Sequence, residues 1–160
     1  MKSLVVYSSQ TGNTQKLAQA VYETLSGEKE ISSIADAPDP DGYDFIAIGF
    51  WLQAGKPDPR ASEYFSKIIT NKRLFLFATH GAAPGSDHVK NAMTYARGLV
   101  SNADRIDTFS CLGEVNPGVL EKIKAKPEPP VWAANAGEAI GHPDDADIIE
   151  IKQVITSLFL

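Results

Sequence analysis

In residues 8–14, Ser-Ser-Gln-Thr-Gly-Asn-Thr, every side chain except that of Gly12 is a hydroxyl or an amide, and none is charged. A run of this kind between a buried strand and a helix has the donors to hold an anion. The mouth of a helix presents unpaired N–H groups and about half a unit of positive charge; Ser9, Thr11 and Thr14 add hydroxyls, and Gly12 lets the backbone come close. No Lys or Arg lies in the run, unlike the G-x-x-x-x-G-K-[ST] loops that cradle triphosphates, so a lone monophosphate held by neutral donors is the better fit. A phosphate left uncompensated also disfavours further negative charge nearby, which lowers the potential of an adjacent electron acceptor. The plain alternative is that these residues only cap the helix, a task for one such side chain rather than a whole run.

The surrounding elements place that loop. Residues 4–7 form a short apolar run rich in β-branched side chains, as in a strand buried on both faces. Beyond the loop, Leu17, Val21 and Leu25 recur at four-residue spacing beside Ala18, a helix stripe that ends near Gly27. Residues 30–34 read as a shorter, more polar edge strand. Residues 44–50 return to the buried-strand pattern and are followed by a loop over 51–59. Pro59 suits a first helical turn, with Ala61, Tyr64, Phe65 and Ile68 on one face. Residues 73–78 give the next strand and 79–87 its loop; Val89, Met93, Ala96 and Val100 then mark a helix capped by Ser86 or Asp87. Residues 107–112 read as a fifth strand. The segment 113–141, with four prolines and one short helical stretch around 119–123, is mostly irregular. Pro143, Asp144 and Asp145 open a last helix carrying Ile148, Ile151, Ile155 and Leu158 on one face.

Alternating strands and helices imply a parallel sheet covered on both faces, an α/β/α sandwich of five strands in the order 2-1-3-4-5, with residues 1–160 as one domain. Ligands of such sheets sit beyond the strand ends where the winding reverses, here after strands 1, 3 and 4.

Ser9, Gln10, Thr11, Gly12, Asn13 and Thr14 match the pattern [ST]-x-T-G-x-T, and with this architecture the chain resembles the flavodoxin family. The resemblance implies flavin mononucleotide (FMN), bound non-covalently, with its phosphate on these six residues. A flavin ring is broad, flat and partly apolar, so its site needs an aromatic face and backbone groups for the polar edge. Trp51, with Phe50, Leu52 and Gln53 around it, occupies the place of the family's stacking aromatic; its alternative is an apolar plug under the next helix. Thr79, His80, Gly81 and Ala82 would read the polar edge, with His80 either joining the ring or idle in the loop. The chain departs from the best-known members where a second stacking aromatic would stand, having only Ala83 or Pro84 there, so the ring would be sandwiched less completely unless Trp132 or Trp51 covers it. A closer resemblance is to a bacterial subgroup with Gly-Phe-Trp after strand 3, matched here by Gly49, Phe50 and Trp51, and with His-Pro before the last helix, matched by His142 and Pro143.

Composition narrows the classes. A net charge of -5 with dispersed Lys and Arg argues against a nucleic-acid binder, and no apolar run approaches bilayer length. The strand-like run begins too near Met1 for a signal peptide, so the cytoplasm is expected. Cys111 alone forms no internal disulfide, and three scattered histidines give no metal spacing. The leading expectation is a monomeric electron carrier working between redox partner proteins. The second is a flavin-dependent reductase of NAD(P)H with a quinone or pigment, its pocket built by 113–141. The third is a cofactor-free binding domain; a phosphorylated receiver domain would need clustered acids where this chain has Ser8, Ser9, Phe50 and Trp51.

Overall fold

The computed structural model describes residues 1–68 and 72–160. Its parallel strands are β1 (Lys2–Tyr7), β2 (Glu28–Ser33), β3 (Phe45–Gln53), β5 (Arg73–His80) and β6 (Arg105–Leu112), and β4 (Lys56–Pro57) is a two-residue antiparallel partner of β3. The spatial order is β2-β1-β3-β5-β6. With β4 set aside this is the order expected, with the winding reversed between β1 and β3.

Strand alternation splits the core in two. Leu4, Val6, Ile48, Phe50 and Leu76 face α2 (Pro59–Phe65) and α3 (Asp87–Leu99), whereas Val5, Ala47, Phe75 and Phe77 face α1 (Asn13–Thr24) and α5 (Asp145–Leu158). Each apolar helix stripe finds a sheet face. Cys111 is buried in the second layer, and burial pushes its thiol far above the ordinary cysteine range, so it is a packing residue.

Two segments expected as loops are instead taken into the sheet, each because a neighbouring strand extends the ladder. Thr79 and His80, expected in a loop, complete β5: Thr79 pairs with Trp51 and Cys111, and His80 with Leu112. Residues 51–53, also expected in a loop, continue β3 into a hairpin with β4, turning at Ala54 and Gly55 with φ of 51° and 76°. Two consecutive positive φ values are the mark of a type I′ turn, whose twist matches that of the flanking strands. Within 113–141 the chain forms α4 (Pro117–Lys124) and a 3-10 run over Val131–Ala139, more structure than its prolines suggested. Among the described residues no helix is long and apolar enough to cross a membrane.

Candidate cofactor site

Among the described residues, four of the five α-helices satisfy their own first turn. Asp58 accepts from the Ala61 N–H at 3.2 Å, Ser86 from Val89 at 3.5 Å, Asn116 from Gly118 at 2.9 Å, and Asp144 from Asp147 at 3.1 Å. At α1 no side chain does so. Its N-cap is Gly12, at φ 93°, and its first turn holds no acidic residue. A residue with a Cβ is strained at that φ, which accounts for the glycine. The Ser9 hydroxyl accepts instead from the Gly12 N–H at 3.1 Å, folding the loop on itself and leaving the positive end of α1 bare among Ser9, Gln10 and Thr11. The capping alternative is thereby set aside.

Asn13 and Thr14 serve as ties. The Asn13 side-chain amide donates to the Glu114 carbonyl at 2.9 Å, and the buried Thr14 hydroxyl lies 3.0 Å from that of Thr79. One O–H of the threonine pair is used between them and the other is left to point elsewhere. Gly113 permits this convergence, since a Cβ there would lie 2.9 Å from that of Thr79.

The second loop hangs on a residue that sequence reasoning passed over. Asp58 is buried; its carboxylate accepts from the Ser8 hydroxyl at 2.7 Å, from Ala61 N–H and from Trp51 N–H at 3.4 Å, and its own N–H donates to the Trp51 carbonyl at 3.0 Å. One carboxylate thus fixes the first loop, the second loop and the start of α2. An Asp directly before a Pro at a helix start was its available signal.

These ties enclose a cleft of about 460 Å³. Ser9, Gln10, Thr11, Asn13 and Thr14 line it from the first loop, Trp51, Leu52 and Gln53 from the end of β3, and Thr79, His80, Gly81 and Ala82 from the end of β5. Of the residues expected at the site, two do not line it. Gly12 acts through its backbone position, and the side chain of Phe50 is fully buried in the core, edge-on to Phe65 with centroids 5.7 Å apart, because alternation along β3 turns it away from the Trp51 side. A further wall comes from 113–141: Val115, Val119, Ile123 and Trp132 line the cleft, with the rings of Trp132 and His88 6.4 Å apart. Sequence reasoning could name Trp132 as a possible cover but had no period with which to place it.

Among the described residues three buried side-chain polar atoms lack a partner, and two of them belong to cleft residues: the Trp51 indole N–H and His80 Nε2. His80 Nδ1 lies 2.9 Å from the Ala82 carbonyl, and burial lowers the ring's pKa to about 4. An orphaned donor and an orphaned acceptor beside a bare helix mouth suit a ligand with a phosphate at one end and a polar-edged flat ring at the other. FMN fits that description.

The model of the flavodoxin domain matches residues 4–156. The chain belongs to the flavodoxin family. This flavodoxin-family chain is 28% identical over 172 residues to the Flavodoxin-like domain-containing protein BilS of Clostridioides difficile, covering 100% of this chain and 97% of the relative. Among solved structures it is similar to the two-electron reduced flavodoxin of Megasphaera elsdenii (TM-score 0.58, 18% identity, 86% of this chain and 96% of that one). It is also similar to a Lactobacillus acidophilus flavoprotein in complex with FMN (TM-score 0.56, 16% identity, 68% of this chain and 91% of that one). At such identities the structural likeness speaks for the flavodoxin-like fold, with the parallel sheet between two helical layers.

Proposed function

We propose that this protein binds FMN non-covalently in the cleft and passes single electrons between redox partner proteins. One observation carries the reading: among the described α-helices, α1 is the one whose first turn no side chain caps, although a run of capping-type residues precedes it. Donors left unspent on the fold are available to a phosphate. When bound, FMN supplies a ring that takes up and releases electrons one or two at a time.

The chain's own residues hold and shield that ring. Ser9 and Thr11, with the first N–H groups of α1, hold the phosphate, while Trp51, positioned through Asp58, offers its indole face to the ring. Thr79 and His80, fixed in the β5 ladder, give the inner edge a rigid wall. No side chain in the cleft has to act as acid or base for electron transfer.

The test is a flavin titration of the protein, followed by absorbance, with FMN and with riboflavin, which lacks the phosphate. FMN should bind at least a hundredfold more tightly, and Thr11→Val together with Ser9→Ala should erase most of that difference. Equal affinity for the two flavins, or no binding of either, would overturn the reading.

A reductase acting on NAD(P)H with a quinone or pigment is favoured by one observation, the apolar wall of Val119, Ile123 and Trp132 over the cleft. Rapid oxidation of a pyridine nucleotide by the FMN-loaded protein and an added acceptor would decide for it.

A further inference from the structure

We propose that helix α4 and the chain beside it form a docking face for a redox partner whose own electron-transfer site is ringed by acidic residues. The inference rests on the reading of the protein as an FMN-dependent electron carrier and adds the chemistry of its partner. It starts from how α4 sits. Val119 and Ile123, one turn apart, line the cleft, yet none of the eight residues of α4 is buried. Val119 is 50% exposed, and Val131, next to the Trp132 that walls the cleft, is 87% exposed. A helix of a folded domain ordinarily covers its apolar stripe, so the stripe of α4 is left uncovered at the mouth of the cleft.

Its charge has the opposite sign to that of the chain. Residues 117–126 carry Lys122, Lys124 and Lys126 against Glu121, in a protein of net charge -5. All three lysines are exposed, and none forms an ion pair among the described residues. The rest of the mouth offers little to cancel them. The three segments 8–14, 51–57 and 79–86 that build the cleft hold a single charged residue, Lys56, and the only acid among the described cleft residues, Glu114, accepts from Gly141 N–H at 3.4 Å. At the start of α5, Asp144 and Asp147 are engaged with their own first turn and with His142. Further acids, Glu28, Asp41, Asp44 and Asp104, stand at the far edge, where the parallel strands begin.

That distribution selects a partner. Electrons leave a carrier at the mouth of its cofactor cleft, so whatever seats there meets α4. A partner with an acidic rim is attracted by the lysines and repelled by the acidic far edge, and the two effects together turn it toward the cleft. A basic partner is drawn to the far edge instead, where the cleft is out of reach. Val119 and Val131 give the contact an apolar centre inside a charged rim, the ordinary anatomy of an interface between proteins.

The experiment uses the FMN-loaded protein, reduced beforehand, and two proteins that each accept one electron. Plastocyanin is acidic and goes from copper(II) to copper(I); cytochrome c is basic and goes from iron(III) to iron(II). Stopped-flow absorbance follows both. The rate with plastocyanin should fall about fivefold between about 20 and about 200 mM salt, whereas that with cytochrome c should not fall. Lys122→Glu, Lys124→Glu and Lys126→Glu together should slow the reaction with plastocyanin about tenfold at low salt. FMN affinity should stay within about twofold, since none of the three lysines lines the cleft. A plastocyanin rate that rises with salt, or a triple variant that reacts as fast as the wild type, overturns the docking face; a protein that takes up no FMN overturns the carrier reading instead. Should the variant not fold, the salt dependence of the wild type decides the question. Sedimentation with phosphatidylglycerol vesicles that the triple variant loses, without any salt dependence toward plastocyanin, would assign the lysines to a membrane surface and overturn the proposal as well.

Discussion

Helices α1 and α5 pack together on one face of the sheet, yet their first turns are built in opposite ways. At α5, Asp144 and Asp147 cap reciprocally: the Asp144 side chain accepts from Asp147 N–H at 3.1 Å and the Asp147 side chain from Asp144 N–H at 2.8 Å, and His142 Nδ1 joins Asp147 at 2.6 Å. Carboxylates neutralise the positive end of that dipole from within the chain. At α1 the nearby polar groups turn elsewhere: Ser9 to the Gly12 N–H, Asn13 to the Glu114 carbonyl, Thr14 to the Thr79 hydroxyl. One helix mouth is closed by the fold and the other is held open by it. Composition alone does not separate a structural helix start from a binding one; what separates them is where each donor and acceptor is spent.

The strongest way to break this contrast is to give α1 what α5 has. Thr11→Asp places a carboxylate at the open mouth, where it competes with a phosphate for the same N–H groups. FMN affinity should fall about a thousandfold, near 4 kcal/mol, while riboflavin affinity changes only a few-fold. Without ligand the variant should be as stable as the wild type or slightly more so, because its carboxylate now faces the dipole. Flavin titration and urea unfolding read the two effects. A parallel fall for both flavins would mean that the mouth does not hold the phosphate.

Acid separates the cleft from the α5 cap. His80 has a folded-state pKa of about 4 against 6.5 for a free histidine, so below pH 6.5 the unfolded chain takes up a proton that the native ring refuses. Stability should therefore fall as the pH drops from 6.5 and level off below 4, by up to about 3 kcal/mol for this group. Asp144 works at a lower pH: the Asp147 N–H holds its carboxyl below the usual 3.8, so its contribution is present above that value and is lost as the carboxyl protonates below it. Urea unfolding across pH, in wild type and His80→Gln, should show the variant with the shallower slope between pH 6.5 and 4. Identical slopes would mean that the buried ring is protonated in the native state.

Much of this was legible in the sequence, for a physical reason. The loop of residues 8–14 is seven consecutive residues whose polar, uncharged character is visible in the chain itself, and the sheet order follows from apolar runs alternating with helical stripes. The remainder needed the third dimension. That Thr79 and His80 belong to a strand is decided by β3 and β6 alongside, not by their own propensities. The Val115–Val119–Trp132 wall comes from a segment without periodicity, and its placement depends on contacts such as the one from Asn13 to Glu114, 101 positions apart in the chain. Asp58, which sequence reasoning passed over, caps α2 and is also the joint between two binding loops. The orphaned Nε2 of His80 is a matter of which neighbours are missing, and no sequence pattern records that.

Opening the closed helix start should have the opposite signature from closing the open one. Asp144→Ala removes half of the capping box and should lower the melting temperature by roughly 3 °C with no change in FMN affinity. Thermal unfolding with and without FMN reads both quantities, and a loss of affinity would show that the two helices are coupled through their shared layer.

The smallest effect concerns the turn between β3 and β4, beside the end of β3 that carries Trp51. Like α1 it begins at a residue with positive φ, but there the residue is Ala54, at 51°, a conformation that alanine adopts at a cost. This is also why the hairpin was read as a loop, since Asn-Gly would have announced a type I′ turn and Ala-Gly does not. Ala54→Asn supplies the missing signal where the backbone already takes the required shape, and should stabilise the fold by about 0.5 kcal/mol, raising the melting temperature by about 1–2 °C. FMN affinity should not change, because Ala54 does not line the cleft. If affinity changed while stability did not, the positive φ at Ala54 would be part of how the second loop meets its ligand, and the turn would belong with the open mouth of α1 rather than with the self-satisfied start of α5.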